Sequence, residues 1–436
     1  MDEQGMKLNS YAKRGGVSLK INQKLRDNLD INLDTRYSDM RTMGDEGTTN
    51  GSGSLLSSSY RFRPIATRDI LGDLNALREG NMEMYGRQST WDTYSPVARI
   101  GDYDPLYIKQ TLRGTLSLNW RLFDGFAYHT DFTLNQSWEQ DKIWGGAIYN
   151  NYLDDETGVK LYAGNVEYTK RDSWGLRWTN TISYDFNFLP KQHRLNILLG
   201  HEVTDSGGSK MSISASHFPS NFTKDNAFAM INQYDVDHGT SKFSSGVDIP
   251  GRILSFFGRA NYTLMDRYLF TVTFRADGSS KLHPNHRWGV FPSFSAAWRI
   301  SSEKFMEDLT WIDDLKLRGG WGQTGNQSGI GDYAYLQRYN IGRIEWFKKG
   351  GEGDSTDYAN AVPTISQANL RTSDLTWETT TQTNIGLDLT ILNGRLTFNA
   401  DYYYKKTKNM LMNVSLPAGA AAATSVSYTH LRAHET

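Results

Sequence analysis

The sequence predicts an all-β fold, an antiparallel transmembrane β-barrel present in part, and three observations predict it. Apolar residues recur at every second position, the alternating segments come in pairs around short turns, and no run of about 18 apolar residues supplies a spanning helix. In "FFGRANYTLMDRYLFTVTFRADGSS" the even positions Phe256, Ala260, Tyr262, Leu264, Tyr268, Phe270, Val272 and Phe274 are apolar, against Arg259, Asn261, Thr271, Thr273 and Arg275. A period of two is a strand with one dry and one wet face. Leu264 and Tyr268 share parity, so they oppose each other across the three-residue turn Met265-Asp266-Arg267 with one side kept dry. Each arm runs for about ten residues, close to the ~9 to 11 that cross a bilayer at a tilt.

The arrangement recurs along the chain. "GVSLKINQKLRDNLDINLDTRYS" gives Val17, Leu19, Ile21 and Leu25, then Leu29, Ile31, Leu33 and Tyr37, with Asn28 at a turn position suited to a left-handed residue. "TLRGTLSLNWRLFDGFAYHTDFTLNQSW" gives Leu112, Leu116, Leu118, Trp120 and Leu122, then Phe126, Tyr128, Phe132 and Leu134, around Asp124-Gly125. A further pair surrounds Pro190, and "WGVFPSFSAAWRI" pairs with "LKLRGGWGQTGN" through a longer segment. In "TNIGLDLTILNGRLTFNADYYYKK" the dry positions change parity, from Ile385, Leu387, Leu389 and Ile391 to Leu396, Phe398, Ala400 and Tyr402. A parity change needs an even loop, and Asn393-Gly394 is the preferred two-residue type I′ turn.

Six hairpins make about twelve strands, joined alternately by short turns and by long connections such as 39–108, 140–172, 205–251 and 324–375. Short turns at one end and long loops at the other are the polarity of an outer-membrane barrel. Aromatics gather at both ends: Trp120, Phe126, Tyr184, Tyr262, Tyr268 and Trp298 near the short turns, and Trp138, Trp174, Trp178, Trp288, Trp321 and Trp377 near the long loops. These are the two expected girdles. The barrel also reconciles 12 Trp, 24 Tyr and 19 Phe with a mean hydropathy of -0.57, because half of each strand lines a wet lumen.

Composition excludes several functions. A net charge of -1 offers no footprint for nucleic acid, and the absence of cysteine removes disulfides, thiolate metal sites and cysteine nucleophiles. Gly320, Gly322 and Gly325 spell G-x-G-x-x-G, but no helical period follows to hold a pyrophosphate, so no cofactor is expected. His283 with His286, and Asp235, Asp237 and His238, lack further ligands at a metal-binding spacing. No nucleophile elbow or other catalytic constellation is present. The lumen-facing set includes Arg113, Asn119, Asp131, Arg259, Asn261, Arg275, Arg318, Asp388 and Asp401; of these Arg259, Asn261 and Arg318 are the candidates to contact whatever fills the lumen. Trp144, Tyr149 and Tyr152 in the 140–172 connection are candidates for substrate contact, since aromatics among polar neighbours suit sugar rings or peptide side chains.

At "DPLYIKQTLRGTLSLNWRLFDGF", "FFGRANYTLMDRYLFTVTFRADGSSKL", "RWGVFPSFSAAWRIS", "LKLRGGWGQTGNQ" and "DLTWETTTQTNIGLDLTILNGRLTFNADYYYKKTKNML" the chain resembles the SusC/RagA family of TonB-dependent outer-membrane transporters of Bacteroidetes. The likeness covers most of residues 100–416. It implies a 22-stranded parent barrel closed by an N-terminal plug, capped by a SusD-like surface lipoprotein, and driven through TonB. The implied activity is import of oligosaccharide or peptide fragments across the cell outer membrane, without enzymatic chemistry. On this reading residues 1–424 are a barrel segment lacking plug and signal sequence. Residues 425–436, "SVSYTHLRAHET", resemble translated sequencing-adapter read-through and are expected to be a non-native tail. The alternative is a surface glycan-binding β-protein without transport activity, which would share the loop aromatics but not the lipid-facing bands.

Overall fold

The structure, a computed structural model, describes residues 2–4, 10–44, 103–146, 151–153, 160–187, 189–219, 221–236, 239–344, 362–369, 372, 374–415 and 422–429. The strands are β1 (Asp2–Gln4), β2 (Tyr11–Arg26), β3 (Leu29–Met43), β4 (Tyr103–Phe123), β5 (Phe126–Gly145), β6 (Asn151–Leu153), β7 (Lys160–Asp185) and β8 (His193–Pro219). They continue as β9 (Ser241–Val247), β10 (Gly251–Leu264), β11 (Tyr268–Ser279), β12 (Trp288–Arg299), β13 (Ile312–Asn326), β14 (Tyr339–Ile344), β15 (Val362–Asn369), β16 (Glu378–Ile391), β17 (Leu396–Lys408), β18 (Met410–Ser415) and β19 (Ala422–Thr429). One 15-stranded sheet runs β1-β2-β3-β4-β5-β7-β8-β10-β11-β12-β13-β16-β17, with β6 on β7 and β9 on β8; β14, β15, β19 and β18 make a separate four-stranded sheet. The large sheet pairs in chain order and is not closed on itself. No helix among the described residues is long and apolar enough to cross a membrane; the crossing elements are strands.

All six hairpins read from parity are present. Leu264 opposes Tyr268, and Ala260, Tyr262 and Gly258 oppose Val272, Phe270 and Phe274. Ile391 opposes Leu396 and Leu387 opposes Ala400, so the parity change is real. The ladder ends at Ile391–Leu396, so the even loop spans four residues, 392–395, and not two: Leu392, Asn393 and Gly394 have φ of 61°, 55° and 78°, with Arg395 N–H donating to the Leu392 carbonyl at 3.4 Å across the left-handed Asn393-Gly394 pair. Gly125 has φ 77°, and a Cβ there would stand 2.3 Å from the Asp185 carbonyl oxygen. Only glycine lets the β4–β5 turn lie against β7.

Three expectations are corrected. Asn28 is not left-handed: the ladder shifts between Lys24 and Arg26, Arg26 pairs with Leu29, and Asn28 instead bonds Arg121 through both its amide nitrogen and its carbonyl. The strands exceed ten residues, reaching 26 in β7 and 27 in β8, so much of the 140–172 and 205–251 connections is strand. Beyond the bilayer both faces meet water and alternation is no longer enforced, which is why these extensions are illegible as period-two segments. Trp377 is not in a girdle: it is buried with Leu282, Phe291, Ile330, Ala334, Leu375 and Leu411, and its indole N–H donates to the Arg287 carbonyl at 2.8 Å.

The sheet is inside out relative to a soluble one. Val272 and Phe274 are each 50% exposed, while Thr133, Ser255 and Asp277 are at most 9% exposed. Curvature crowds the polar face and splays the apolar one, so the apolar face is the convex, lipid-facing side. At the end with the short turns, the connection between β12 and β13 folds back on the wall. Glu303 accepts hydrogen bonds from the Tyr268 hydroxyl at 2.7 Å, the Trp298 indole at 3.0 Å and Arg267 at 3.0 Å. The Tyr268 bond first, then that of Trp298, holds the Glu303 carboxyl below its usual range. A carboxylate with a lowered folded pKa stabilises the fold above the ordinary value of 4.5 and loses that contribution as pH falls through the folded value. Melting temperature should therefore drop below pH 4.5 more steeply in the native protein than in Glu303→Gln; parallel pH profiles would show that Glu303 does not anchor this connection.

Candidate functional site: the lumen wall

Parity assigns the lumen face, and register shows which of its side chains meet. Arg318 lies on β13, inward as expected, and its guanidinium donates to Asp388 on β16 at 3.2 and 3.3 Å and to Asp401 on β17 at 2.8 Å. Gly386 lies beneath this fork, where a Cβ would meet Arg318 Cζ and Asp401 Oδ1 at 2.6 Å each. Arg318 therefore ties three strands together and is already neutralised. Asn261 accepts from the Thr271 hydroxyl at 3.0 Å. Arg259 is the contrast, exposed on β10, between Thr273 and Leu198, and no protein partner holds it among the described residues. A desolvating partner in the lumen would meet this charge first.

A second network crosses β7, β8, β10 and β11. Arg275 donates to Asp277 at 2.8 and 3.0 Å, to Glu202 at 3.2 Å and to the Ser255 hydroxyl at 3.0 Å. Thr179 donates to Glu202 at 3.0 Å, and Arg275 stands 5.5 Å over the Phe257 ring. Glu202 and Asp277 were missed in the sequence, although the inward parity of β8 and β11 was available to find them. Further round the wall His129 bridges Asn119 at 2.5 Å and Asp131 at 2.7 Å. These contacts brace the wall laterally, as charge-assisted bonds shielded from bulk water do.

The aromatic candidates fare differently. Trp144 falls on β5, half-buried, its ring over Gly164, where a Cβ would be 2.3 Å away, and 6.4 Å from Phe218. It packs against the cluster of Val166, Ala215, Phe218 and Ala227, roofed by α1 (Lys224–Ala229), whose N-cap Thr223 accepts from the Asn226 N–H. Tyr149 lies outside the described residues, and Tyr152 pairs with Tyr162 where β6 meets β7. His283 and His286 have ring centroids 6.1 Å apart, but no group of three or more metal-ligating side chains occurs among the described residues. Asp237 and His238 lie outside them. Gly320, Gly322 and Gly325 are strand residues of β13; a Cβ on Gly325 would strike the Phe291 ring at 2.2 Å. A Cβ on Gly322 would crowd Ser293 at 2.8 Å, so two of the three glycines are required by packing across the sheet.

A curved antiparallel sheet with an apolar convex face, a braced polar concave face and short turns at one end defines an outer-membrane β-barrel wall. The chain belongs to the TonB dependent receptor-like, beta-barrel family, which it matches over residues 45–431. It is 44% identical over 167 residues to the TonB-dependent receptor SusC of Bacteroides thetaiotaomicron, covering 38% of this chain and 16% of that protein. It is 28% identical over 422 residues to the TonB-dependent receptor P39 of Formosa agariphila, covering 96% of this chain and 36% of that one. The structure of the RagAB peptide transporter superposes with a TM-score of 0.72 at 18% identity, over 96% of this chain and 43% of that chain. FpvA of P. aeruginosa, in a structure bound to a heterologous pyoverdine, superposes at 0.53 and 12% identity, over 98% and 46%. These superpositions speak to fold, and the chain covers less than half the length of each of these proteins. The SusC/RagA resemblance and the outer-membrane location both stand.

Proposed function

We propose that this chain is part of the wall of a TonB-driven importer of oligosaccharide or peptide fragments, working with a SusD-like surface lipoprotein and a plug that occupies the lumen. The carrying observation is the division of the inner face between spent and available groups. Arg318 and Arg275 are saturated by carboxylates, whereas Arg259 is exposed and has no partner among the described residues, with the Asn261 amide two residues on. A plug needs contacts that hold it at rest yet break during transport, and single polar bonds of about 0.5–1.5 kcal/mol net meet that condition. The name of the RagAB peptide transporter favours peptide cargo and the SusC/RagA resemblance admits glycan as well; Trp144, Tyr149 and Tyr152 are proposed as substrate contacts.

The test is uptake of labelled oligosaccharides and peptides by cells carrying the full-length gene, with and without TonB. Uptake of one class should vanish without TonB and fall several-fold in Arg259→Ala. Surface binding with no uptake in either background would reject import and favour the glycan-binding alternative.

A further inference from the structure

Connections at the short-turn end such as 27–28, 124–125 and 265–267 are tight, but the one between β12 and β13 spans 300–311. Its sequence, "ISSEKFMEDLTW", mixes charged and large apolar residues. The N–H groups of Glu303, Met306, Leu309 and Ile312 donate to the carbonyls three residues back at 2.9–3.0 Å. The segment is therefore a compact run of successive tight turns, not a loose loop.

Glu303 fixes where this segment lies. Its carboxylate is only 12% exposed and takes the Tyr268 hydroxyl, the Trp298 indole and the Arg267 guanidinium. Tyr268 and Trp298 are cross-strand partners, and they continue the outward rows of Phe270 and Val272 on β11 and of Ala296 and Phe294 on β12. The polar tips of two girdle aromatics thus hold the segment against the outward face, at the level where such rings meet lipid headgroups. A carboxylate can be desolvated there because all three donors are in place.

Fastened in this way, the segment leaves its largest apolar side chains uncovered. Phe305 is 64% exposed, Trp311 53% and Leu309 39%, comparable with Val272 and Phe274 in the belt. The patch is continuous with that belt: Trp311 precedes Ile312, which opposes Ile391, and Ile391 opposes Leu396 at the start of the outward row of β17. The Leu392 N–H donates to the Trp311 carbonyl at 3.1 Å, which brings another exposed apolar residue beside it. Lys304, Glu307 and Asp308 are exposed as well. Charged and apolar residues side by side suit a segment lying in the interface plane, not one crossing hydrocarbon. We infer that residues 300–311 are a membrane-surface anchor: Phe305, Leu309 and Trp311 enter the headgroup–acyl boundary of the periplasmic phospholipid leaflet, and Glu303 latches the segment to the girdle.

The test places single nitroxide-labelled cysteines, Phe305→Cys, Trp311→Cys and Glu307→Cys, in the full-length protein with any other cysteine replaced by serine. In nanodiscs of phosphatidylethanolamine and phosphatidylglycerol, the ratio of relaxation by oxygen, which concentrates in lipid, to relaxation by a water-soluble nickel chelate reports depth. That ratio should be about threefold or more higher at 305 and 311 than at 307, as for apolar side chains sunk beside a wet charged one. Adding Glu303→Ala should bring the ratio at 305 down toward that at 307, while a label at Val272→Cys keeps its lipid value and shows the barrel still inserted. Equal ratios at 305, 311 and 307 would overturn the anchor, and an unchanged ratio at 305 in Glu303→Ala would overturn the latch. A water-like ratio at 305 together with a photocrosslink from 305 to a second polypeptide in intact cells would also overturn the anchor, since the patch would then be a protein contact.

Discussion

Val272→Arg should destabilise the full-length barrel by about 2–4 kcal/mol when refolded in bilayers, the cost of a cation near the midplane of a lipid-facing strand. Val272 is central on β11, between Phe270 and Phe274, and opposes Ala260 on one side and Phe294 on the other. All four neighbours are apolar, so an arginine there would have to reach past a full row of hydrocarbon to find water. Ser295→Arg is the matched control, since Ser295 is on β12 facing the lumen opposite Thr271 and Gly320; its effect should stay within about 0.5 kcal/mol, as at a solvated surface. The chain has no cysteine, so single cysteines extend the test: those at Phe270, Val272 and Phe274 should resist aqueous thiol reagents in membranes, and those at Thr271 and Thr273 should react. Equal costs for the two arginines, or equal labelling of the two sets, would remove the barrel assignment.

How much of this was legible is set by where the environment enforces a rule. Within the bilayer each outward residue meets lipid and each inward one meets water, so parity located both faces of every hairpin and even the even-numbered loop at Asn393-Gly394. Above the bilayer that constraint lapses. Residues 160–172 of β7 and 205–219 of β8 are strand yet read as connection, and Trp377 reads as girdle although it is buried with Leu375 and Phe291. Turn detail also escaped where long-range bonds decided it: Asn28 is set by Arg121, 93 residues away.

The lumen site divides in the same way. Parity gave the side on which Arg259, Asn261 and Arg318 lie, but their states depend on register. Arg318 meets carboxylates 70 and 83 residues further on, a coincidence that requires β13, β16 and β17 to be aligned first. Arg259 has no partner among the described residues, since the adjoining Thr273 and Leu198 cannot neutralise it.

Removal of Arg275 should be the most damaging single change on the lumen side. Its guanidinium separates two carboxylates, Asp277 and Glu202, whose side chains are only 12% and 21% exposed, and it also satisfies the Ser255 hydroxyl, which is fully buried. Breaking a buried pair by deleting one partner costs about 3–5 kcal/mol, because the other charge is left desolvated. The Arg275 side chain is itself 39% exposed, so water would reach part of the vacated space. Discounting for that screening, Arg275→Leu should cost about 2–3 kcal/mol. Most of that cost is repulsion and lost solvation at the carboxylates, so the double variant Arg275→Leu/Glu202→Gln should be more stable than Arg275→Leu alone. Arg275→Lys keeps the charge but not the fork that reaches both carboxylates and Ser255 at once, and should fall between the native protein and the leucine variant. Denaturant melts of the refolded full-length protein measure all three. If Arg275→Leu melts with the native protein, or if adding Glu202→Gln makes it worse, the network braces nothing and the stiffness of this part of the wall must come from the β8–β10–β11 ladder alone.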